Sequence, residues 1–123
     1  MNDVTILLPM AEKEPMDEFA SLYHLYEIEK ESEVIHFVRE NPFLLSILED
    51  APNQIYRIFG KDVKLCLELH HDPEEGWDEL FIIIKSSYST SEAIKRKNQL
   101  VKEWFLGVMK FTQGKLNITE EPL

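Results

Sequence analysis

Residues 63–84, VKLCLELHHDPEEGWDELFIII, decide the fold class. From 63 to 70, apolar residues alternate with mostly polar ones, which is typical of a strand with one buried face. From 80 to 84 every residue is apolar, which indicates a strand buried on both faces. Asp72-Pro73 and Gly76 interrupt the pattern between these two runs. The sequence therefore predicts an antiparallel hairpin with a long loop.

Helical patterns flank this hairpin on both sides. Apolar residues at spacings of three and four predict three helices before it and one long helix after it. Asn41-Pro42 is expected to start the third helix, Pro52 to kink or restart it, and Gly60 to end it. Ser89-x-x-Glu92 is a capping box that predicts the start of the last helix. With a final short strand the order is α-α-α-β-β-α-β, an α+β fold with a small, mostly antiparallel sheet.

The chain is 123 residues long and 44% hydrophobic, which fits one domain with a substantial core. We expect a loose N-terminal arm over residues 1–15 and a single α+β domain over residues 16–123. The one cysteine, Cys66, excludes an internal disulfide and favours a reducing compartment. The sequence shows neither a signal peptide nor an apolar run long enough to span a bilayer, so we expect a cytoplasmic protein.

Negative charge is concentrated at one end of the sequence. The chain carries 23 acidic and 13 basic residues, a net charge of −10, which argues against binding to nucleic acid or to an anionic membrane. Residues 1–50 hold 12 acidic and 3 basic residues, whereas residues 51–123 hold 11 and 10. The helix after Ser89 is rich in lysine and arginine.

Two interpretations of this charge remain. The acidic and basic faces are either solvated and attract each other within the domain, or the acidic half binds a basic protein. In the second case the residues expected to contact the partner are Tyr26, Glu27, Glu29, Glu31, Glu33 and Trp77. The glutamates would supply the electric field, and Tyr26 or Trp77 the aromatic anchor. A homodimer between the acidic helices of one copy and the basic helix of another is a third arrangement.

Catalytic and metal-binding signals are sparse, and we expect no cofactor. His70, His71 and Asp72 form the one compact cluster of ligand-type residues, but neighbours on a strand point to opposite faces. We therefore expect no metal site there, and the five carboxylates of loop 72–79 do not match an EF-hand. No phosphate-binding, dinucleotide-binding, hydrolase or zinc-protease motif is present. The alternative function is a ligand-binding or enzymatic pocket between the sheet and the helices, near His70, His71 and Glu68.

Several short segments together carry a resemblance to a family. They are Asn41-Pro-Phe-Leu44, Leu48-Glu-Asp-Ala51, Leu67-Glu-Leu69, Asp72-Pro-Glu74, Asp78-Glu-Leu-Phe81, Ser91-Glu-Ala93, Glu103-Trp104 and Gly114-Lys-Leu116. In these segments the chain resembles a family of small uncharacterised prokaryotic proteins, over about the last two-thirds of its length. The resemblance implies the same element order and no established activity. Small acidic proteins of this kind look like antitoxin, immunity or regulatory partners.

Overall fold

A computed structural model describes residues 18–123 of the chain. The elements are α1 (Ala20–Leu25), β1 (Glu27–Ile28), α2 (Glu31–Glu40), α3 (Leu44–Phe59), β2 (Lys64–Asp72), β3 (Trp77–Ser86), α4 (Thr90–Leu100), a π-helical segment (Val101–Phe105), α5 (Leu106–Met109) and β4 (Leu116–Pro122). The α+β class with N-terminal helices is confirmed. The arm expected over residues 1–15 lies outside the described residues.

The four strands form one sheet in the order β1-β2-β3-β4. β2 and β3 pair antiparallel from Lys64↔Lys85 to Asp72↔Trp77, which confirms the hairpin, but the expected long loop is wrong because only residues 73–76 connect the strands. β1 pairs with β2 in parallel, and so does β4 with β3, so the sheet is mixed rather than mostly antiparallel. The reason is the long helical connection after β3, which returns the chain to the end where β3 began.

The core lies between the helices and one face of the sheet. Strand alternation points one set of side chains to this face: Leu65, Leu67, Leu80, Ile82, Ile84, Leu116 and Ile118. They pack in one cluster with apolar residues of the helices, among them Val34, Leu44, Leu48, Phe59 and Phe105. The second face of the sheet carries Cys66 opposite Ile83. The helices and the core-facing side chains hold the loop end of the hairpin beside α2.

The junction between α2 and α3 differs from the expectation. Asn41 does not cap the start of α3, because α3 begins at Leu44. Asn41 instead closes α2: its backbone N–H bonds to the carbonyls of Phe37 and Val38, and its buried side chain donates to the Phe37 carbonyl over 2.8 Å. Pro52 lies inside α3, which runs unbroken to Phe59, so the expected restart is wrong.

The helix after the hairpin begins as the capping box predicted. Ser89 is its N-cap, and the Ser89 hydroxyl accepts a hydrogen bond from the Glu92 N–H at 3.2 Å. The π-helical segment buries two neighbouring aromatic residues, Trp104 and Phe105. Over residues 18–123, none of the helices has the length and apolar character needed to cross a bilayer.

Candidate functional site

A cleft lies between α2 and the loop end of the β2–β3 hairpin. Its larger part measures about 940 Å³ and is lined by Phe37, Glu40, Asn41, Gly76, Trp77, Asp78, Gln113, Gly114 and Lys115. A smaller part of about 450 Å³ is lined by Glu33, His36, Phe37, Glu40, Leu69, His71 and Asp78. Phe37, Glu40 and Asp78 belong to both parts. We call the two together the acidic cleft.

Helical spacing and strand register bring the polar side chains of the cleft together. Glu33, Phe37 and Glu40 lie on one side of α2 because residues three and four apart share a helix face. Phe37 is buried and anchors α2 to the core. On the hairpin, His71 lies directly opposite Asp78, on the sheet face that carries the helices. The cleft therefore has one wall from a helix and one from the last residue pairs of the hairpin.

Carboxylates dominate the charge of the acidic cleft. Glu33, Glu40 and Asp78 line it, against one cation, Lys115. Within residues 18–123 the ion pairs that involve arginine or lysine are Arg57–Glu103 and Arg96–Glu92. No arginine or lysine of the described chain pairs with a cleft carboxylate, so the negative field of the cleft is directed towards solvent.

Two histidines of the cleft contact its carboxylates. The His36 Nε2 lies 3.4 Å from Glu40 Oε2, and the His71 Nδ1 is hydrogen-bonded to Asp78 Oδ1. The second pair fixes the orientation of the His71 imidazole through its Nδ1. No hydroxyl or thiol side chain is among the described residues that line the cleft. Its groups suit ionic and hydrogen-bonded contacts.

Trp77 lies on the rim of the acidic cleft. Its side chain is 45% exposed, although it begins a strand whose later residues are buried. Trp77 lines the larger part of the cleft and also a shallow depression beside His70 and Phe81 on the second face of the sheet. An exposed tryptophan next to carboxylates that no lysine or arginine of residues 18–123 pairs has the character of an interface anchor, since it offers a large apolar area and one N–H donor.

The side chain of Asp72 stabilises the turn of the hairpin loop. The Asp72 Oδ1 accepts hydrogen bonds from the N–H groups of Glu74 and Glu75 at 2.9 and 3.0 Å. Gly76 has a φ of 75°, a left-handed conformation that glycine adopts without strain, and its N–H bonds to the Asp72 carbonyl. Within residues 18–123 no group of three histidine, cysteine or carboxylate side chains could hold a metal ion.

The structure separates the six residues expected to contact a partner. Tyr26 is only 5% exposed, and its hydroxyl donates to the Leu48 carbonyl over 2.6 Å. The expectation that Tyr26 is a surface anchor is therefore wrong: the residue that follows α1 turns into the core. Burial raises the pKa of Tyr26 well above its usual range, and the nearby Tyr56 and Asp50 raise it further.

The four glutamates are all exposed, but they occupy two places. Glu27 lies in β1 opposite Cys66, on the second face of the sheet. Glu29 follows it at the edge, where its N–H bonds to the Leu67 carbonyl. Glu31 and Glu33 lie in the first turn of α2, where their charge favours the positive end of the helix. Of the four, Glu33 lines the acidic cleft.

The expected pocket near His70, His71 and Glu68 does not form as one site: a depression of about 490 Å³ at the end of the hairpin is lined by both His70 and His71, but Glu68 does not line it. His71 faces the acidic cleft, whereas His70 and Glu68 lie on the second face, because strand neighbours point in opposite directions. There His70 stacks on Phe81 with ring centroids 4.3 Å apart, and its Nε2 lies 2.9 Å from Glu68 Oε1. A ligand in the cleft meets His71 alone.

Cys66 lies on the second face, near the glutamates of β1. Its Sγ is 4.0 Å from Glu27 Oε1. Burial raises the pKa of the Cys66 thiol; Lys85 acts in the opposite direction, and Glu27, Glu29 and Glu121 raise the pKa further. The thiol is therefore held in its protonated, weakly reactive form.

Sequence reasoning missed five polar residues of the larger part of the cleft: Glu40, Asn41, Asp78, Gln113 and Lys115. A partial signal existed, since the spacing of Glu33, Phe37 and Glu40 already places these residues on one helix face. For Asp78 and Lys115 no local signal exists, because their proximity depends on how the hairpin and the loop before β4 pack against α2.

Comparison of the chain with protein-family models, with curated proteins and with solved structures finds no match. The resemblance to a family of small prokaryotic proteins therefore stays a prediction.

Proposed function

We propose that this protein is a non-enzymatic interaction module that binds a basic protein partner at the acidic cleft. The observation that carries the proposal is the convergence of two α2 carboxylates, Glu33 and Glu40, and the hairpin carboxylate Asp78 on one cleft, with Trp77 exposed at its rim. A cytoplasmic antitoxin-like, immunity or regulatory role agrees with this mode of binding, and we include it in the proposal.

The charge of the cleft supports a basic partner over a neutral one. Unneutralised carboxylates repel one another and cost stability, and a cationic surface relieves that repulsion. The hairpin loop adds Glu74 and Glu75 beside the cleft, both exposed. Such a field raises the association rate of a basic protein and sets its orientation.

Trp77 supports a protein partner over a diffuse counter-ion. Desolvation of a large aromatic ring on binding stabilises a complex by much more than a rim ion pair does. In this proposal the carboxylates steer the partner, and burial of Trp77 holds it. Both contacts form without any covalent step.

A direct test compares charge variants for retention of a basic protein from lysate of the native host. Glu33→Gln with Glu40→Gln removes two charges from the cleft, and Asp62→Asn with Glu121→Gln removes two charges elsewhere. We expect the first pair and Trp77→Ala to lose the partner, the second pair to keep it, and added salt to release it. Equal loss in both pairs, or retention that salt does not affect, would contradict the proposal.

A second copy of this chain also offers a basic surface, so the test must distinguish a homodimer from a complex with a different protein. Residues 90–110 carry Lys95, Lys97, Lys102 and Lys110, and none of these lysines pairs with a carboxylate of residues 18–123. A homodimer would appear in light scattering as a mass that falls with added salt. A monomer at every salt concentration excludes this occupant and leaves a different basic protein.

The alternative is a small-ligand site, which the His71–Asp78 pair in the smaller part of the cleft and the volumes of the two parts, about 450 and 940 Å³, favour. Ligand pockets measure about 300–1,000 Å³, but they enclose most of their ligand between apolar walls. His71→Ala separates the two functions: it removes the oriented imidazole and keeps the carboxylates of α2. Undiminished protein binding by this variant supports the interaction module.

A further inference from the structure

The outer edge of β2 is only partly paired within the described chain. β1 covers this edge at Cys66 and Leu67, and the bond from the Glu29 N–H to the Leu67 carbonyl, at 3.0 Å, is the last one. Alternate residues of a strand direct their backbone groups to the same side. Leu69 and His71 therefore direct their N–H and C=O groups away from β3, and no hydrogen bond from residues 18–123 reaches these groups.

α2 lies beside this unpaired part of the edge. Leu69 and His71 form one wall of the smaller part of the acidic cleft, and Glu33, His36 and Glu40 form the other. Asp78 of β3 also lines this part, so the result is a groove over the helix-bearing face of the sheet, which the unpaired edge of β2 borders. Such grooves accept an extended peptide, whose backbone adds to the sheet while its side chains contact the helix.

The other edge of the sheet, formed by β4, is protected against pairing with a further strand. Along β4 the backbone N–H and C=O groups that point away from β3 belong to Leu116, Ile118, Glu120 and Pro122. The hydrogen bonds from the Leu80 N–H to the Lys115 carbonyl and from the Leu123 N–H to the Ser86 carbonyl define this direction. The Ile118 N–H is capped by Asn117 Oδ1 at 2.8 Å, and Pro122 has no N–H. These features block strand addition at β4, whereas the end of β2 has no such feature.

We propose that an extended segment of a basic partner adds to β2 as a short strand at Leu69 and His71. This inference rests on the proposed function and gives its binding mode. Side chains of the added strand that face α2 meet Glu33 and Glu40, so lysine or arginine is expected at those alternate positions. The backbone of the segment supplies affinity, and the carboxylates select its charge.

The chain's own residues 1–17 fit this groove less well than a basic segment. They include Asp3, Glu12, Glu14 and Asp17 against one cation, Lys13. An acidic segment beside Glu33 and Glu40 is repelled, whereas a basic one is attracted. Charge complementarity therefore favours a separate basic partner.

The test uses a capped heptapeptide of alternating valine and lysine and the full-length protein. Two further peptides carry N-methyl groups on the valines only or on the lysines only, which removes alternate N–H donors and keeps the charge. We expect one methylated peptide to bind at least about tenfold more weakly than the other, because only one set of N–H groups faces β2. Amide exchange at Leu69 and His71 should slow when the parent peptide binds.

Protein variants give an independent readout. His71→Pro removes an outward N–H and keeps the β2–β3 ladder, and His71→Ala removes the same imidazole but keeps the N–H. We expect the proline variant to bind the parent peptide about tenfold more weakly than the alanine variant. Equal binding by the two variants would speak against strand addition.

The remaining outcomes separate the two proposals. Equal, salt-sensitive affinity for both methylated peptides overturns strand addition and leaves the basic-partner function standing. Failure of the parent peptide to bind at low salt also overturns strand addition, while the function is judged by the charge variants above. If Ile6→Ser with Leu8→Ser raises peptide affinity more than about tenfold, the chain's own N-terminal segment occupies the edge and the inference fails.

Discussion

Pro52 does not end α3, and the reason is found at Tyr26. A proline inside a helix leaves the carbonyl four residues earlier without its donor. For Pro52 that carbonyl belongs to Leu48, and the Tyr26 hydroxyl donates to it over 2.6 Å. The phenol thus takes the place of the missing backbone N–H in a buried site. Without it, a buried acceptor would lack a partner, which costs about 1–3 kcal/mol.

A double-mutant cycle tests this substitution of one donor for another. Tyr26→Phe should lower the free energy of unfolding by about 1–3 kcal/mol in the wild type. In a Pro52→Ala background the loss should be smaller, because the backbone N–H of the introduced alanine can bond to the Leu48 carbonyl. Urea unfolding of the four proteins gives the coupling, and Tyr56→Phe serves as a control tyrosine. An equal loss in both backgrounds would refute the link between Tyr26 and Pro52.

Tyr26 also predicts how stability changes at alkaline pH. Burial raises the pKa of its phenol in the folded state, whereas the unfolded chain ionises near the usual value of about 10. The phenol therefore stabilises the fold fully below a pH of about 10, and this contribution is lost as the pH rises from there towards the folded-state pKa. Unfolding free energies measured between neutral and alkaline pH should converge for wild type and Tyr26→Phe. A constant difference across that range would contradict the raised pKa.

At the scale of elements, the regular patterns could be read from sequence and the short ones could not. Alternation along the strand specified β2, and Ser89 with Glu92 specified the start of α4. β1 has two residues, too few to show an alternation of apolar and polar side chains. It forms because Glu27 and Ile28 pair with β2. The direction of β4 depends on where the preceding helix ends in space, which no local pattern encodes.

The sequence likewise did not predict which backbone groups are paired at the edges of the sheet. Asn117 and Pro122 are ordinary turn-forming residues in a sequence pattern, and their meaning depends on which side of β4 faces outward. Once the register with β3 is known, Asn117 caps an outward N–H, and Pro122 lies where a donor would face solvent. Both features protect the edge against association with another strand.

Removing this protection should make the protein associate. Asn117→Val with Pro122→Val restores two outward donors on β4 and increases its β-propensity. We expect the variant to form oligomers or aggregates at concentrations where the wild type keeps its mass, as light scattering would show. Lys64→Val provides a control with a new apolar residue on β2, which does not alter the edge of β4. If the control associates to the same extent, exposed apolar area rather than the strand edge is responsible.

At the scale of the whole molecule, the acidic residues form a site only after folding. The cleft combines residues 33–41, 69–78 and 113–115, segments that are far apart in sequence. The charge excess of the N-terminal half could be counted in advance, but its meeting with the hairpin loop could not. The same folding step removed Tyr26 from the surface and left Trp77 exposed, so one of the two expected aromatic anchors remains available.

A site held open for a partner should carry a cost in stability. Glu40 is the last residue of α2, where a negative charge opposes the helix dipole, and it lines the acidic cleft together with two further carboxylates, so Glu40→Gln is expected to raise the unfolding free energy by at most about 0.5 kcal/mol. The matched control is Glu103→Gln, because Glu103 accepts a hydrogen bond from Arg57 over 2.7 Å and should be stabilising instead.

The two changes should also differ in their dependence on pH and salt. The Arg57 and Gln99 contacts lower the pKa of Glu103, so its contribution is present above the unfolded pKa of about 4.3 and is lost as the pH falls through the folded value. The destabilisation caused by Glu103→Gln should therefore vanish in acid. The gain from Glu40→Gln should shrink in high salt, which screens the repulsion. If Glu40→Gln lowers stability at neutral pH and low salt, Glu40 supports the fold itself, and its exposure no longer argues for a partner.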